Sequence, residues 1–442
     1  QFGNRGTSKL DLFGSDVWKT FGLAVEGSIL NTDGYRIVHP AETGPIDNNA
    51  DVEYKNTTAK FEYSPSERAN LFARVGYFSE KRNNGKVGEL NDTRWTTVSG
   101  GTRLQLPDHS DLQARLFGDV QQAHYNFLAV SNAATTRNAV RLSVDQHVPV
   151  NGFGGLVQWA KALGTRQAFT AGVDWRRVDG DSREDAYSAI AGAQPGADGV
   201  TLPANLTVQR LSGGTQQSQG LFVQDVITPV EKLVITLNAR VDHWRNYDGH
   251  FNETTVATGL PTANNKPSLP DRTDTVVSPR VAALYHVTDR ITTWGAFNTG
   301  FRAPTLTELY RQFSVGTVVT KPNPSLGPER LKGGEFGINV APARNLTARL
   351  TWFDNRVDDP VSNVTMTANQ PEYAAVCIGL AAGNCVQKQN LGSTRSRGVQ
   401  TDVEYVIGKA WRLAGGYIYN QAKVADRKST RLNSSHVSES RM

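Results

Sequence analysis

The chain has 442 residues with 47 Lys and Arg against 42 Asp and Glu; the net charge of +5 forms no basic cluster, so nucleic-acid binding has no support. Hydrophobic residues make up 38% of the chain and mean hydropathy is -0.43, with no apolar run long enough for a membrane helix. That excludes a helical membrane protein but not one whose strands carry a lipid face in alternate positions.

From Phe21 to Tyr419 the sequence repeats one unit: an alternating strand, a tight turn, a second strand and a long polar connection. Phe21, Leu23, Val25 and Ile29 fall on one face of the first clear strand, and Gly22, Ala24, Glu26 and Ser28 on the other. The same period of two returns at Leu71–Tyr77, Leu112–Val120, Ile235–Val241, Leu346–Trp352 and Val399–Tyr405. Tight turns are expected at Ser15–Lys19, Ser64–Arg68, Pro107–Asp111, Leu163–Arg166, Thr228–Lys232, Thr288–Arg290, Ala341–Asn345 and Ile407–Ala410, most of them holding Pro, Gly, Asp, Asn or Ser. Eight hairpins predict about sixteen strands of about ten residues, the length a tilted membrane-spanning strand needs. Residues 138–162 are the least regular, because Pro149 and the Gly152–Gly155 cluster admit either a further turn or a bulge. Long polar connections are expected at 31–50, 179–216, 245–274, 303–330 and 354–396.

Alternation alone does not say which face is dry. A soluble sandwich buries the apolar face; a membrane barrel turns it outward. Strand length favours the barrel. So do Trp18, Tyr63, Trp95, Trp294, Trp352, Trp411, Tyr417 and Tyr419, placed near strand ends as interfacial aromatics are. The fold expected is all-β, an antiparallel transmembrane barrel.

Enzymatic chemistry finds little. The eight histidines are scattered without metal-ligand spacing, and neither a Gly-x-Ser-x-Gly elbow nor a phosphate-binding loop occurs. Hence no catalytic residue, cofactor or metal is expected. The two cysteines, Cys377 and Cys385, share the last long connection; in an oxidising compartment they read as a disulfide, with two unpaired thiols as the alternative. Tyr187, Trp244, Tyr247, Phe251, Tyr310 and Phe313 lie in the long connections and are candidate ligand-binding aromatics, because their rings bury area while two of the three ring types keep a polar edge. Packing among loops is the competing reading.

Residues 300–310 read Gly-Phe-Arg-Ala-Pro-Thr-Leu-Thr-Glu-Leu-Tyr, followed by Asn323-Pro324-Ser325-Leu326-Gly327-Pro328-Glu329. With Asn390-Leu391-Gly392-Ser393 and the early Asp33-Gly34-Tyr35-Arg36, these stretches resemble the barrel of TonB-dependent outer-membrane receptors, the energised importers of siderophores, cobalamin and related scarce solutes. The motif positions are Phe301, Arg302, Pro304, Leu306, Glu308, Tyr310, Asn323, Pro324, Leu326, Pro328 and Glu329, and Arg302 is expected to pair with Glu308. The resemblance implies the bacterial outer membrane and its lipid as surroundings. It also implies a small solute as ligand, and the inner-membrane TonB complex as partner through a plug domain. A family barrel has roughly 22 strands around a plugged lumen. Against it this chain is expected to be a partial barrel over residues 1–426 without the plug. Residues 427–442, which lack alternation, are expected to be a non-native or disordered tail. A passive porin, or a soluble secreted β-structured adhesin, would share the strands but not the paired motifs.

Overall fold

The computed structural model of the chain describes residues 1–132, 136–408 and 410–425; the tail expected at 427–442 lies outside the described residues. One antiparallel sheet of sixteen strands follows chain order from Ser8–Trp18 to Trp411–Ala425, apart from two excursions into loop structure. Neighbouring strands pair over long, nearly unbroken registers, such as Leu90–Gln105 against Asp111–Ser131. The tight turns fall where the sequence places them, except the first, at Lys19–Thr20, just beyond the end of Ser8–Trp18.

Burial decides which face is dry. Leu12 is 64% exposed, Val98 56%, Leu116 61%, Leu221 55%, Phe297 51% and Leu350 50%. These residues share one face through the register: Val75 pairs with Val98, Phe336 with Trp352 and Trp352 with Val399. An apolar face turned outward on strand after strand is the inversion a membrane barrel requires, and it rules out a sandwich core. The opposite face is charged. There Arg240 spans Asp174 and Asp242 at 2.6 Å each, and Gly220 leaves the space its guanidinium fills. Trp18, Tyr63, Trp95, Trp352, Trp411, Tyr417 and Tyr419 are exposed on the wall. Trp294 corrects the expectation: it sits on the lumenal face across from Gly337, whose missing side chain makes room for the indole.

Two further expectations change. Residues 139–163 form one strand with no turn: Pro149 lies where pairing to Gln167–Ala189 is skipped between His147 and Val150, so the ladder loses no donor there. Gly154 and Gly155 are small because Phe117 and Leu116 of the neighbouring strand lie over them. The long connections are also shorter than expected, because strands continue past the membrane: Gln167–Ala189, Ala204–Val230 and Leu233–Thr255 run to 23, 27 and 23 residues.

The last two long connections meet in a second, four-stranded sheet ordered Phe313–Val315, Val318–Lys321, Cys385–Asn390, Val361–Thr365. Val318–Lys321 and Cys385–Asn390 pair in parallel and join the loops. Cys377 and Cys385 form a disulfide with Sγ–Sγ of 2.08 Å, packed against Met366.

Candidate functional site beneath the signature loop

Pro304 has no N–H for the ladder, so the strand Ile291–Arg302 ends there and the chain turns inward. Thr305 caps a short helix, Leu306–Tyr310: its hydroxyl accepts from the Glu308 amide at 3.2 Å, and the Glu308 carboxylate accepts from the Thr305 amide at 2.8 Å. The same carboxylate takes two hydrogen bonds from Arg302, at 2.9 and 3.1 Å. Arg302 then donates to Glu329 at 2.9 and 2.7 Å, and Glu329 also accepts from the Val361 amide. The guanidinium therefore ties together the departing strand, the helix and the returning strand Glu329–Ala343. The sequence pairs Arg302 with Glu308; the structure adds Glu329 as a second partner.

Leu309, Tyr310 and Leu326 are fully buried in one apolar cluster with Leu269, Leu306 and Val361 beside it. The Tyr310 ring lies on Gly249 and Gly214 of the wall, where an added Cβ would come within 2.6 and 2.9 Å of it. Asn323 donates to the Lys388 carbonyl and accepts from the Ser325 amide, while Asn390 exchanges hydrogen bonds with Gly327. Pro328 is buried and Pro324 lines a small cavity of about 80 Å³. Phe301 is half-buried in the strand, opposite Arg330.

Behind the helix runs a buried polar chain. Glu184 accepts from Arg311 at 2.7 Å, Ser182 at 3.1 Å and Gln146 at 3.2 Å. Arg210 lies 3.8 Å from Glu184 and 2.5 Å from Glu253, which also accepts from Thr262 and Asn264. Burial works to raise the Glu253 carboxyl, but these donors outweigh it and hold it below its ordinary value. The Lys321 ammonium donates to Gln312 at 2.6 Å and Asn264 at 3.0 Å, and burial pushes it down to about 8. The loop thus docks through an apolar patch and a hydrogen-bonded charge network.

Between helix and wall remains a cavity of about 520 Å³, lined among others by Tyr125, Gln146, Arg176, Ser218, Thr307 and Arg311. Arg311 is committed to Glu184, whereas Arg176 has no hydrogen-bond or ion-pair partner among the described residues. A larger recess, about 1030 Å³, lies on the outer wall around Leu116, Val157 and Leu221, facing lipid, so volume alone does not mark a solute site.

The six candidate aromatics are not gathered in one place. Trp244 (1% exposed), Phe251 (5%) and Tyr310 (1%) are buried as packing. Tyr247 shares the outward face with Val241, its ring 5.8 and 4.7 Å from the guanidinium carbons of Arg177 and Arg245. Phe313 lies between Arg311 and Lys388, and Tyr187 is half-buried far along its strand with its carbonyl bonded to Arg141. The lumenal cations Arg176 and Arg311 belong to no sequence motif. The one available signal was alternation, which puts Arg176 on the polar face of its strand while Arg177 faces out.

A family model described as TonB dependent receptor-like, beta-barrel matches residues 30–438. The Iron-regulated outer membrane virulence protein of Vibrio cholerae O1 (El Tor) is 25% identical over 205 residues, 46% of this chain and 27% of that protein. Among solved structures, the copper transporter OprC superposes with a TM-score of 0.70 at 14% identity, covering 95% of this chain and 60% of OprC. The siderophore receptor PirA from Acinetobacter baumannii gives 0.65 at 12% identity, covering 96% and 61%. The chain therefore spans about a quarter of that relative and about three fifths of each of these structures.

Proposed function

The chain belongs to the TonB-dependent receptor family and sits in the bacterial outer membrane, and from that premise we propose that it supplies the wall and capture surface of an active importer. The cargo is a scarce solute of the siderophore or cobalamin kind, taken by the extracellular loops. The inner-membrane TonB protein then drives its release inward through a plug. No bond is made or broken.

The observation that carries this reading is the inward-docked signature loop with an uncommitted cation, Arg176, in the cavity beside it. A guanidinium without a carboxylate partner is suited to the carboxylate, catecholate or phosphate oxygens of a chelate or corrin. Tyr125 and Ser218 supply hydroxyl donors around it.

The test is uptake by the intact receptor in an iron-limited host lacking its own receptors, challenged with a panel of ferric chelates and cobalamin. Arg176→Ala is expected to weaken uptake of one of them about tenfold, the scale of one charge-assisted hydrogen bond. Solute entry that persists when the TonB protein is deleted would instead make the protein a passive porin.

A further inference from the structure

The sequence spaces its histidines too far apart for a metal motif, but the ladder brings two of them together. His124 of Asp111–Ser131 lies directly across from His147 of Ala139–Leu163, with ring centroids 4.3 Å apart. Asp145 reaches His124 Nε2 at 2.5 Å from one side, and Asp92 of Leu90–Gln105 meets Nδ1 at 3.2 Å from the other. One nitrogen each from His124 and His147 and one oxygen from Asp145 lie within 4.8 Å of one another.

We propose that His124, His147 and Asp145 form a binding site for a borderline divalent cation of the zinc, copper or nickel class, with Asp92 as the positioning residue. Two imidazoles and a carboxylate without a thiolate suit these ions better than magnesium or calcium, which prefer all-oxygen shells. With His124 Nδ1–H donating to Asp92, Nε2 is left as the ligand, the arrangement in which a second carboxylate fixes a metal-binding ring. Two neutral imidazoles and two carboxylates carry a charge of minus two, which a divalent ion neutralises. Bonds of about 2.0–2.1 Å at tetrahedral angles set donors roughly 3.3 Å apart. On loading, the His124–Asp145 contact opens by less than about 1 Å, and the exposed His147 ring, stacked on His124 with its plane 8° away, turns so that its nitrogen points in-plane at the ion. His147 is exposed and the other two half-buried, so the ion has a path in and a coordination position remains open to solution.

Register places the site on the outer wall. His124 shares the face of Leu116 and Val120 and stands four residues beyond Val120, roughly 10 Å above the apolar belt for a tilted strand. It is separate from the lumenal cavity, so the ion is a clip across two strands at headgroup level, braced from a third by Asp92, and not cargo.

The test is equilibrium dialysis of the intact receptor in detergent against zinc or copper(II), with metal content measured directly and copper(II) followed by its electron-spin spectrum. The protein is expected to hold one ion more than the His124→Ala, His147→Ala double variant, with nitrogen coupling in the copper spectrum that the double variant loses. Asp92→Asn is expected to weaken binding about tenfold while retaining that coupling. His109→Ala, in a distant turn, is expected to change neither. Heat-modifiable migration verifies that each variant is folded. Equal metal content and spectra for the folded wild type and double variant would overturn the site and leave the cluster an imidazolium held by two aspartates.

Discussion

If the signature loop is docked on the lumenal wall, removing its anchor should free it without unfolding the barrel. Tyr310 is 1% exposed and its ring occupies the space left by Gly249 and Gly214. Deleting a fully buried aromatic costs about 3–5 kcal/mol where the surroundings do not collapse. At about 1.4 kcal/mol per factor of ten, Tyr310→Ala should raise local opening of the loop at least roughly a hundredfold. Gly249→Ala tests the same contact from the wall. Its new Cβ would stand 2.6, 2.7 and 2.9 Å from Cε1, Cζ and Oη of Tyr310, and overpacking of this kind costs about 1–3 kcal/mol. The assay is amide hydrogen exchange in detergent, which reads sub-global opening separately from global unfolding. The reporters are the amides of Leu309, Arg311 and Asn323, which donate within the loop to Thr305, Thr307 and Glu308. Gly300→Ala, whose Cβ meets nothing within 4 Å, is the control expected to leave their exchange unchanged. Unchanged exchange in both Tyr310→Ala and Gly249→Ala would mean that the loop is not held by this contact, and the cavity beneath it would lose its roof.

On the wall, Leu350→Arg puts a charge at mid-strand on the lipid face and should cost about 2–4 kcal/mol, whereas Thr351→Arg, facing the lumen one residue on, should cost less than about 1 kcal/mol; denaturant titration in vesicles that ranks them the other way would reverse the assigned faces. The Cys377–Cys385 link closes a separation of 8 residues, for which loop entropy gives about 2.5 kcal/mol, so the double serine variant should be cleaved roughly fiftyfold faster within residues 361–390 with the barrel intact. Loop docking should also strengthen with pH. Lys321 titrates near 8 when docked against 10.5 when free, so the free loop holds the extra proton between these values and stability rises across that window. Glu253 and Glu308, held below the ordinary 4.5, contribute above that value and lose their contribution as pH falls further. Protection of the loop from a broad-range protease, normalised to an unfolded substrate, should follow this trend and flatten above pH 8 in Lys321→Met; a wild-type profile with no slope there would contradict it.

The strands were legible only where one face meets lipid and the other the lumen. There the solvent on the two sides differs, selection of side chains alternates, and Phe21–Ile29 or Leu346–Trp352 can be read directly. Beyond the membrane both faces meet water or loops, and the alternation fades although the backbone ladder continues. That is why 204–216 and 245–255 read as loop and are strand. Trp294 misleads for a related reason: an aromatic near a strand end looks interfacial, and only the register reveals that it faces Gly337 across the lumenal side. His124 and His147 are 23 positions apart, and no spacing rule reveals that the ladder sets them opposite each other.

The residues that made the family legible are largely spent on the fold itself. Arg302 uses four of its donor contacts on Glu308 and Glu329, Tyr310 is sealed against two glycines, and Asn323 and Asn390 hold loop backbone. A guanidinium already saturated by two carboxylates has little left for a solute, because a ligand would first have to displace a charge-assisted pair. Arg176, by contrast, faces the cavity with its donors uncommitted and belongs to no motif. A motif whose task is to fold a loop inward must be the same whatever the cargo, while the groups that meet the cargo must change with it. The stretch at 300–329 therefore marks the family, and on the reading proposed above the solute is met by single residues such as Arg176 that only the folded wall brings to the cavity.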